Sequence, residues 1–431
     1  MNSIQGTLPR RRISTKAWLA WSLVLVYFGL SIFMSLRAPC GKVHYLNLAG
    51  VTSEGYHDPD AFYLIAGVSF FRTDVSIWPT AHPGLTLQAV VGLVAEVAFK
   101  AFGRGSADID FYEFVLRNWI RILVAVRILM TFASLGCVFA VYGLARRLAG
   151  SSAWAAVAAA LYATSYPVLL YINRLVPEPL AMLYSMAALG CLWRAVAPGD
   201  AKAERFLLWA GLAGMAASGA CFEKFYNGLL LLPVLAFYLA IEWRTLWIEH
   251  GWRKGFHTVG ACGIGFLAAS FLFMQKLNLE GFLAFWGSDW INWIRTPSFE
   301  EMESMPRITA GLSVRLDLHF LLDLLTRFSL NSPDKNLVKG GVLLLCELPF
   351  LFLGCLGILT WMRLDPARKR RMAALSLFGV TGIVLSVLRG IYTGTPYVFH
   401  YFYPVLVAAA VFSAMGLERL VAVMQGKHNN F

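Results

Sequence analysis

Charge is what this chain has least of. Asp, Glu, Lys and Arg make up 14% of its 431 residues, where an ordinary soluble domain carries roughly 25%. That scarcity, beside 58% hydrophobic residues, excludes an ordinary soluble domain and points to a polytopic membrane protein. The seven cysteines, Cys40, Cys137, Cys191, Cys221, Cys262, Cys346 and Cys355, lie mostly in apolar runs and form no CxxC pair. Neither a disulfide framework nor a cysteine-based zinc site follows from them. No A-x-A cleavage signal or lipobox follows the first apolar run, where Arg37-Ala38-Pro39-Cys40 stands instead. With Arg10, Arg11, Arg12 and Lys16 ahead of it, that run is expected to be an uncleaved first transmembrane helix. Low-complexity linkers, internal repeats and a domain-sized polar tail are also lacking.

What is present is a series of apolar runs long enough to cross a bilayer. They lie at about 17–36, 128–145, 152–170, 179–193, 206–222, 225–241, 257–274, 340–361, 372–390 and 402–417. The expected fold is therefore all-α, a polytopic integral membrane protein of about 10 transmembrane helices forming one domain. A net charge of +12 raises the question of nucleic acid, and its placement answers it. With the N-terminus in the cytoplasm, Arg146-Arg147, Arg194 to Arg205, Arg244 to Lys254, Arg363 to Arg371 and the tail with Arg419 and Lys427 all fall on one side. Those segments and the N-terminus account for the whole basic excess, which is the positive-inside rule with attraction to anionic membrane lipids. No nucleic-acid partner is implied. Gly84 to Gly103 is apolar but holds Gln88, Glu96 and Lys100, and spanning would invert every later loop, so it is expected in the interface as an amphipathic helix. Two long extracytoplasmic loops then emerge, 37–126 and 275–338, which together hold most of the chain's 25 acidic residues. In the second, Leu279 to Ile294 and Val314 to Phe328 read as short interfacial helices.

The chemistry-bearing patterns concentrate at the outer ends of these runs. His57-Asp58-Pro59-Asp60-Ala61-Phe62-Tyr63 places two carboxylates beside aromatics, and His82-Pro83-Gly84 opens the interfacial helix. Ala125-Val126-Arg127 begins a span that ends in Arg146-Arg147. Asn173-Arg174-Leu175-Val176-Pro177-Glu178 precedes another span, as does Phe222-Glu223-Lys224-Phe225-Tyr226. His400-Tyr401 and Pro404 open the last. In this order the patterns resemble those of the GT-C glycosyltransferase superfamily, nearest its branch of protein O-mannosyltransferases and lipid A aminoarabinose transferases. The likeness runs from about residue 56 to 240 and returns near 400. The family's usual neighbouring Asp-Glu pair is Asp58-Pro59-Asp60 here, and His400 stands where Arg is commoner.

The resemblance implies an enzyme that moves a sugar from a polyprenyl-phosphate donor to an extracytoplasmic acceptor, a lipid, glycan or envelope polymer. Such transfer needs a base for the acceptor proton and cationic groups for the leaving phosphate. Asp58 and Asp60 are the catalytic candidates: Asp60 is also placed to cap the helix expected from Ala61, which leaves Asp58 as the base and inversion as the stereochemical outcome. Arg127, Arg174, Lys224 and His400 are the phosphate candidates, with Tyr226 and His82 beside them, although cations at helix ends also snorkel to headgroups. Glu178 is read as a second acid, a metal ligand or an ion-pair partner for Arg174, and Glu223 as a neutraliser of Lys224. Some relatives use a divalent metal cation; Asp58, Glu178 and His82 have the ligand types for one. Arg117 and Arg121 share a helix face and suit lipid headgroups, while Glu347 and Arg389 lie in spans outside the matched patterns. A transporter or flippase of a lipid-linked saccharide, or a non-catalytic scaffold with this fold, is the alternative. The protein is expected in a bacterial-type inner membrane, both termini cytoplasmic and the active site outside.

Overall fold

In the computed structural model the described residues are 15–37, 60–74, 84–103, 109–165, 168, 175–197, 203–284, 353–393 and 403–426. Among them the regular elements are helical. In chain order they are α1 (Thr15–Arg37), α2 (Asp60–Val68), α3 (Leu85–Ala98, continued by a π-turn Phe99–Gly103), α4 (Phe111–Ala145), α5 (Ser152–Ala163), α6 (Glu178–Ala195), α7 (Ala203–Glu223), α8 (Phe225–Met274), α9 (Leu279–Ala284), α10 (Pro366–Thr393) and α11 (Tyr403–Met424). The protein is a polytopic integral membrane protein. Among the described residues five segments are long and apolar enough to cross a bilayer: Leu85–Gly103, Phe111–Ala145, Arg205–Glu223, Trp252–Met274 and Tyr403–Met424. Ala17–Phe33, Ser152–Ala163 and Asn227–Trp243 are shorter apolar stretches. Most of the expected span 340–361 and most of the loop 275–338 lie outside the described residues, as does Glu347.

Side-chain size decides how the bundle closes. α5 is mostly alanine, and Ala155, Ala156, Ala158, Ala159 and Ala163 are wholly or almost wholly buried. Small side chains let α1, α4 and α11 approach it closely, the packing mode available where apolar transfer gives no driving force between helices. Leu25 and Val26 of α1, Phe132 and Phe139 of α4, and Leu267, Phe271 and Leu272 of α8 are exposed instead, which suits a face turned to lipid. α5 is shorter than the run expected at 152–170. The hydroxyls of Thr164 and Ser165 donate to the carbonyls of Ala160 and Tyr162 at 2.9 and 2.7 Å, and Pro167 disfavours helix in the residue before it.

Where two spans and an intervening loop were expected between 225 and 274, the backbone is helical throughout. A straight helix of that length would measure about 75 Å, and it is not straight. Gly228 lies so close to Cys221, near the end of α7, that a Cβ would collide with it. Yet Phe273, at the far end of α8, stacks on Phe222 with ring centroids 5.2 Å apart, and Ser270 meets Ser218 at 2.9 Å. Trp243 and Phe256 also touch edge to face, with centroids 5.3 Å apart. α8 is therefore a helical hairpin whose arms both run the length of α7 and whose chain reverses between Trp243 and Phe256.

These contacts give the bundle two ends. At one, Arg147, Arg370 and Glu242 come together with the turn of α8. At the other, the start of α6, the end of α7 and the start of α8 meet α2 and α3.

Candidate active site

The second end is assembled around two adjacent residues in the break between α7 and α8. Glu223 closes α7, is fully buried, and turns to α3 rather than to Lys224. Its carboxylate accepts from Thr86 N at 2.9 Å and Leu87 N at 3.2 Å, and its backbone carbonyl accepts from Gly84 N at 3.1 Å. Those are orphan donors of a helix's first turn, supplied here with a cap from another element. The expected neutralisation of Lys224 by Glu223 is thus corrected. α3 has no side-chain cap of its own because Gly84 stands at that position with φ 55°. A Cβ on Gly84 would lie 2.5 Å from the Tyr63 ring, so the glycine meets both a left-handed backbone and a close approach to α2.

Lys224 is 1% exposed and its Nζ forms an ion pair with Glu178 Oε1 at the first turn of α6. Of the readings of Glu178, the pairing with Arg174 falls on a residue outside the described ones; the ion pair described is with Lys224. Glu178 opens α6 behind Pro177, and α6 and α7 lie side by side, which brings the two charges face to face out of water. The pair leaves Glu178 Oε2 without a hydrogen-bond partner among the described residues. Asn227 follows Lys224 by one turn, is buried, and among the described residues has neither its amide nitrogen nor its carbonyl oxygen partnered. Tyr63 of α2 is buried, and burial first, then the carboxylates of Glu178 and Glu223, holds its hydroxyl well above the ordinary phenol range. Tyr184 reaches from α6 to Thr86 Oγ1 at 3.3 Å, and Lys276 fastens the far arm of α8 to α2's exit by donating to Thr73 O at 2.7 Å.

Of the residues singled out from sequence, the structure brings together Glu178 and Lys224. Asp60 is the first residue of α2, one position earlier than the expected helix start and one turn ahead of Tyr63. Tyr226 lies in the first turn of α8. Arg127 is buried on α4. On the same helix, about 15 Å away along its axis, Cys137 Sγ donates to Pro179 O at 3.1 Å. Asp58, Arg174, His82 and His400 lie outside the described residues. Glu178 is thus the one candidate metal ligand described, and it already holds Lys224; among the described residues no group of three or more His, Cys, Asp or Glu stands together. Sequence reasoning passed over Tyr63, Asn227 and the capping role of Glu223. Asn227 carried a signal, a carboxamide on the otherwise apolar stripe of Leu231, Val234 and Tyr238.

Residues 121–286, less than half of the chain, match the family model described as dolichyl-phosphate-mannose-protein mannosyltransferase. No curated protein matches the sequence. The fold is similar to that of an oligosaccharyltransferase, AglB of Archaeoglobus fulgidus, solved with an inhibitory peptide and a dolichol-phosphate: the TM-score is 0.52 at 16% identity, over 96% of this chain and 52% of that one. It is also similar to ArnT of Cupriavidus metallidurans bound to undecaprenyl phosphate, with TM-score 0.51 at 16% identity, over 96% of this chain and 62% of that one. The chain therefore spans about half the length of AglB and about three-fifths of ArnT.

Proposed function

From a chain with the GT-C membrane fold as premise, we propose that the protein is a glycosyltransferase that moves a sugar from a polyprenyl-phosphate donor to an extracytoplasmic lipid, glycan or envelope polymer. The observation that carries this reading is the buried Glu178–Lys224 pair with Asn227 beside it, at the end of the bundle where α2 and α3 pack. An ion pair removed from water is costly unless further groups satisfy it. A polar substrate suits such a pair: a phosphate would lie against the Lys224 charge, and hydroxyls would bond the Glu178 oxygen that no described residue engages and Asn227, whose carboxamide both donates and accepts.

The reaction is displacement at the anomeric carbon. A carboxylate of the segment entering α2 takes the proton of the acceptor hydroxyl or amine, whose heteroatom bonds to the anomeric carbon as the bond from that carbon to the phosphate oxygen breaks. The polyprenyl phosphate departs with the electron pair, and the anomeric configuration inverts. Asp58 is the base and Asp60 its alternative; general-base catalysis of this kind supplies about 10²- to 10⁴-fold. Lys224 stabilises charge on the departing phosphate. Asp58, Glu178 and His82 are of the residue types that would hold a divalent cation, which would supply further charge stabilisation at the phosphate. The α2–α3 layer is interfacial in this reading, supported by the bonds from α3's first turn to the end of α7 and by the packing of Phe99 on Phe111 and Phe114 at the start of α4. Both termini and the arginine-rich end then face the cytoplasm.

The test is release of polyprenyl phosphate by purified protein from a panel of polyprenyl-phosphate sugars. Wild type is expected to turn over at least one donor, with Asp58→Asn lowering the rate at least a hundredfold and Asp60→Asn less. Equal rates in both variants and wild type would remove the base from this segment; no release with any donor, together with movement of lipid-linked sugar across vesicles, would make the protein a transporter.

A further inference from the structure

We propose that the arginine-rich end of the bundle carries a second binding site, formed by Arg147, Trp193, Tyr238 and Arg371, which takes a phosphate-class anion. Four helices build it. Arg147 follows α4 and donates from Nη1 to Gly190 O of α6 at 2.9 Å, which fixes its guanidinium between the two helices. Arg371 of α10, Arg194 of α6 and Tyr238 of α8 all lie within electrostatic reach of it. Trp193 and Tyr238 are fully buried with ring centroids 6.2 Å apart. Among the described residues Trp193 Nε1 and Arg371 Nε have no hydrogen-bond partner, and Tyr238 OH stands against Glu242 and Arg371.

The chemistry of those orphan atoms is one-sided. An indole N–H and a guanidinium N–H only donate, so they are satisfied by acceptors alone, and Tyr238 OH can join them as a donor. Glu242 is the one acid facing this cluster, beside Tyr238 OH, and it stands against the guanidinium groups of Arg370 and Arg371 with Arg147 in reach; the other acids nearby are committed elsewhere. Glu242, one turn beyond Tyr238 on the same face, lies 2.9 Å from Arg370; Glu418 accepts from Gly150 N at 3.2 Å; Asp365 pairs with Arg368. An anion with several oxygens fits convergent donors with excess positive charge, and guanidinium forks match phosphate oxygens.

Snorkelling does not account for the arrangement, because snorkelling heads reach for water. Here two of the donors are fully buried and Arg147 is spent on a neighbouring helix's backbone. The anion comes either from a glycerophospholipid headgroup, as in basic pockets between transmembrane helices, or from free phosphate.

The experiment is thermal denaturation of the full chain in detergent, titrated separately with short-chain phosphatidylglycerol, short-chain phosphatidylcholine and inorganic phosphate at matched ionic strength. Expected is a saturable rise in Tm with phosphatidylglycerol or phosphate and none with phosphatidylcholine. The midpoint should move at least tenfold higher in Arg147→Gln and in Arg371→Gln, and be unchanged in Arg253→Gln, which removes the same charge from the α8 turn. A response to phosphatidylglycerol alone assigns the site to lipid; a response to inorganic phosphate alone assigns it to the free ion. Trp193→Phe keeps a buried aromatic ring and removes the N–H donor, so it reads the site even where the arginine variants fail to fold. No anion-specific rise in wild type, or an unchanged midpoint in both Trp193→Phe and the foldable arginine variants, overturns the proposal and leaves the donors to ordered water.

Discussion

At the scale of single residues, Glu178 and Lys224 make opposite demands on stability and function. Removing one member of a buried pair leaves the other charge uncompensated, at a cost of about 3–5 kcal/mol, whereas replacing both by apolar groups of similar volume is often neutral or better. Glu178→Gln and Lys224→Met are each expected to lower Tm sharply, and the double variant to recover most of the loss while remaining inactive. A double-mutant cycle in detergent measures this; additive losses would mean that the two charges do not compensate each other. Asn227 offers the converse trade. A buried polar group left without partners costs about 1–3 kcal/mol, so Asn227→Leu is expected to raise Tm by several degrees and lower donor turnover tenfold or more. A variant both more stable and fully active would take Asn227 out of the site.

Elements reach the site through backbone groups as much as through side chains. Glu223 ends one helix and caps another, so its substitution acts on α3 at a distance in sequence. Glu223→Ala is expected to cost about 1–2 kcal/mol, the worth of a lost cap with its orphaned donors. It should also raise amide exchange at Thr86 and Leu87 while leaving α7 protected, as hydrogen–deuterium exchange would read. Faster exchange spread evenly over both helices would place the effect elsewhere. This role was hidden in the sequence because Glu223 and Lys224 are neighbours, and adjacent opposite charges suggest mutual neutralisation. A chain break between two helices points the neighbours in different directions, and nothing in the local pattern reports that. The helical turn of α8 was hidden for a related reason: Arg244, Glu249 and Lys254 read as a loop by polarity, yet each has a good helix propensity.

The whole molecule was the most legible scale. Scarce charge, long apolar runs and one-sided placement of arginine announced a polytopic helical membrane protein, because a bilayer constrains composition over long windows. The site was legible in part. Glu178 and Lys224 stood out as ionisable residues at the edges of apolar runs, where charge needs a reason, but their union depends on α6 and α7 packing side by side. Which face of the membrane they serve is open to direct measurement. Single cysteines at Gly105 and Gly199, in a background without the native seven, are expected to react with an impermeant thiol reagent from outside at position 105 and not at 199. The reverse pattern would invert the topology and set the sugar chemistry on the cytoplasmic face.

The hairpin of α8 also decides where evolution can edit this chain's length. Its first arm starts just after Lys224 and carries Asn227 at one end and Tyr238 and Glu242 at the other, on a single helical register. One inserted or deleted residue between them would rotate everything downstream by about 100°, turning Tyr238 and Glu242 away from Trp193 and Arg370 while Lys224 stayed in place. Length variation is therefore forbidden within the arm and tolerated in the turn between Trp243 and Phe256. An alignment of natural variants would show gaps there and none in the arm.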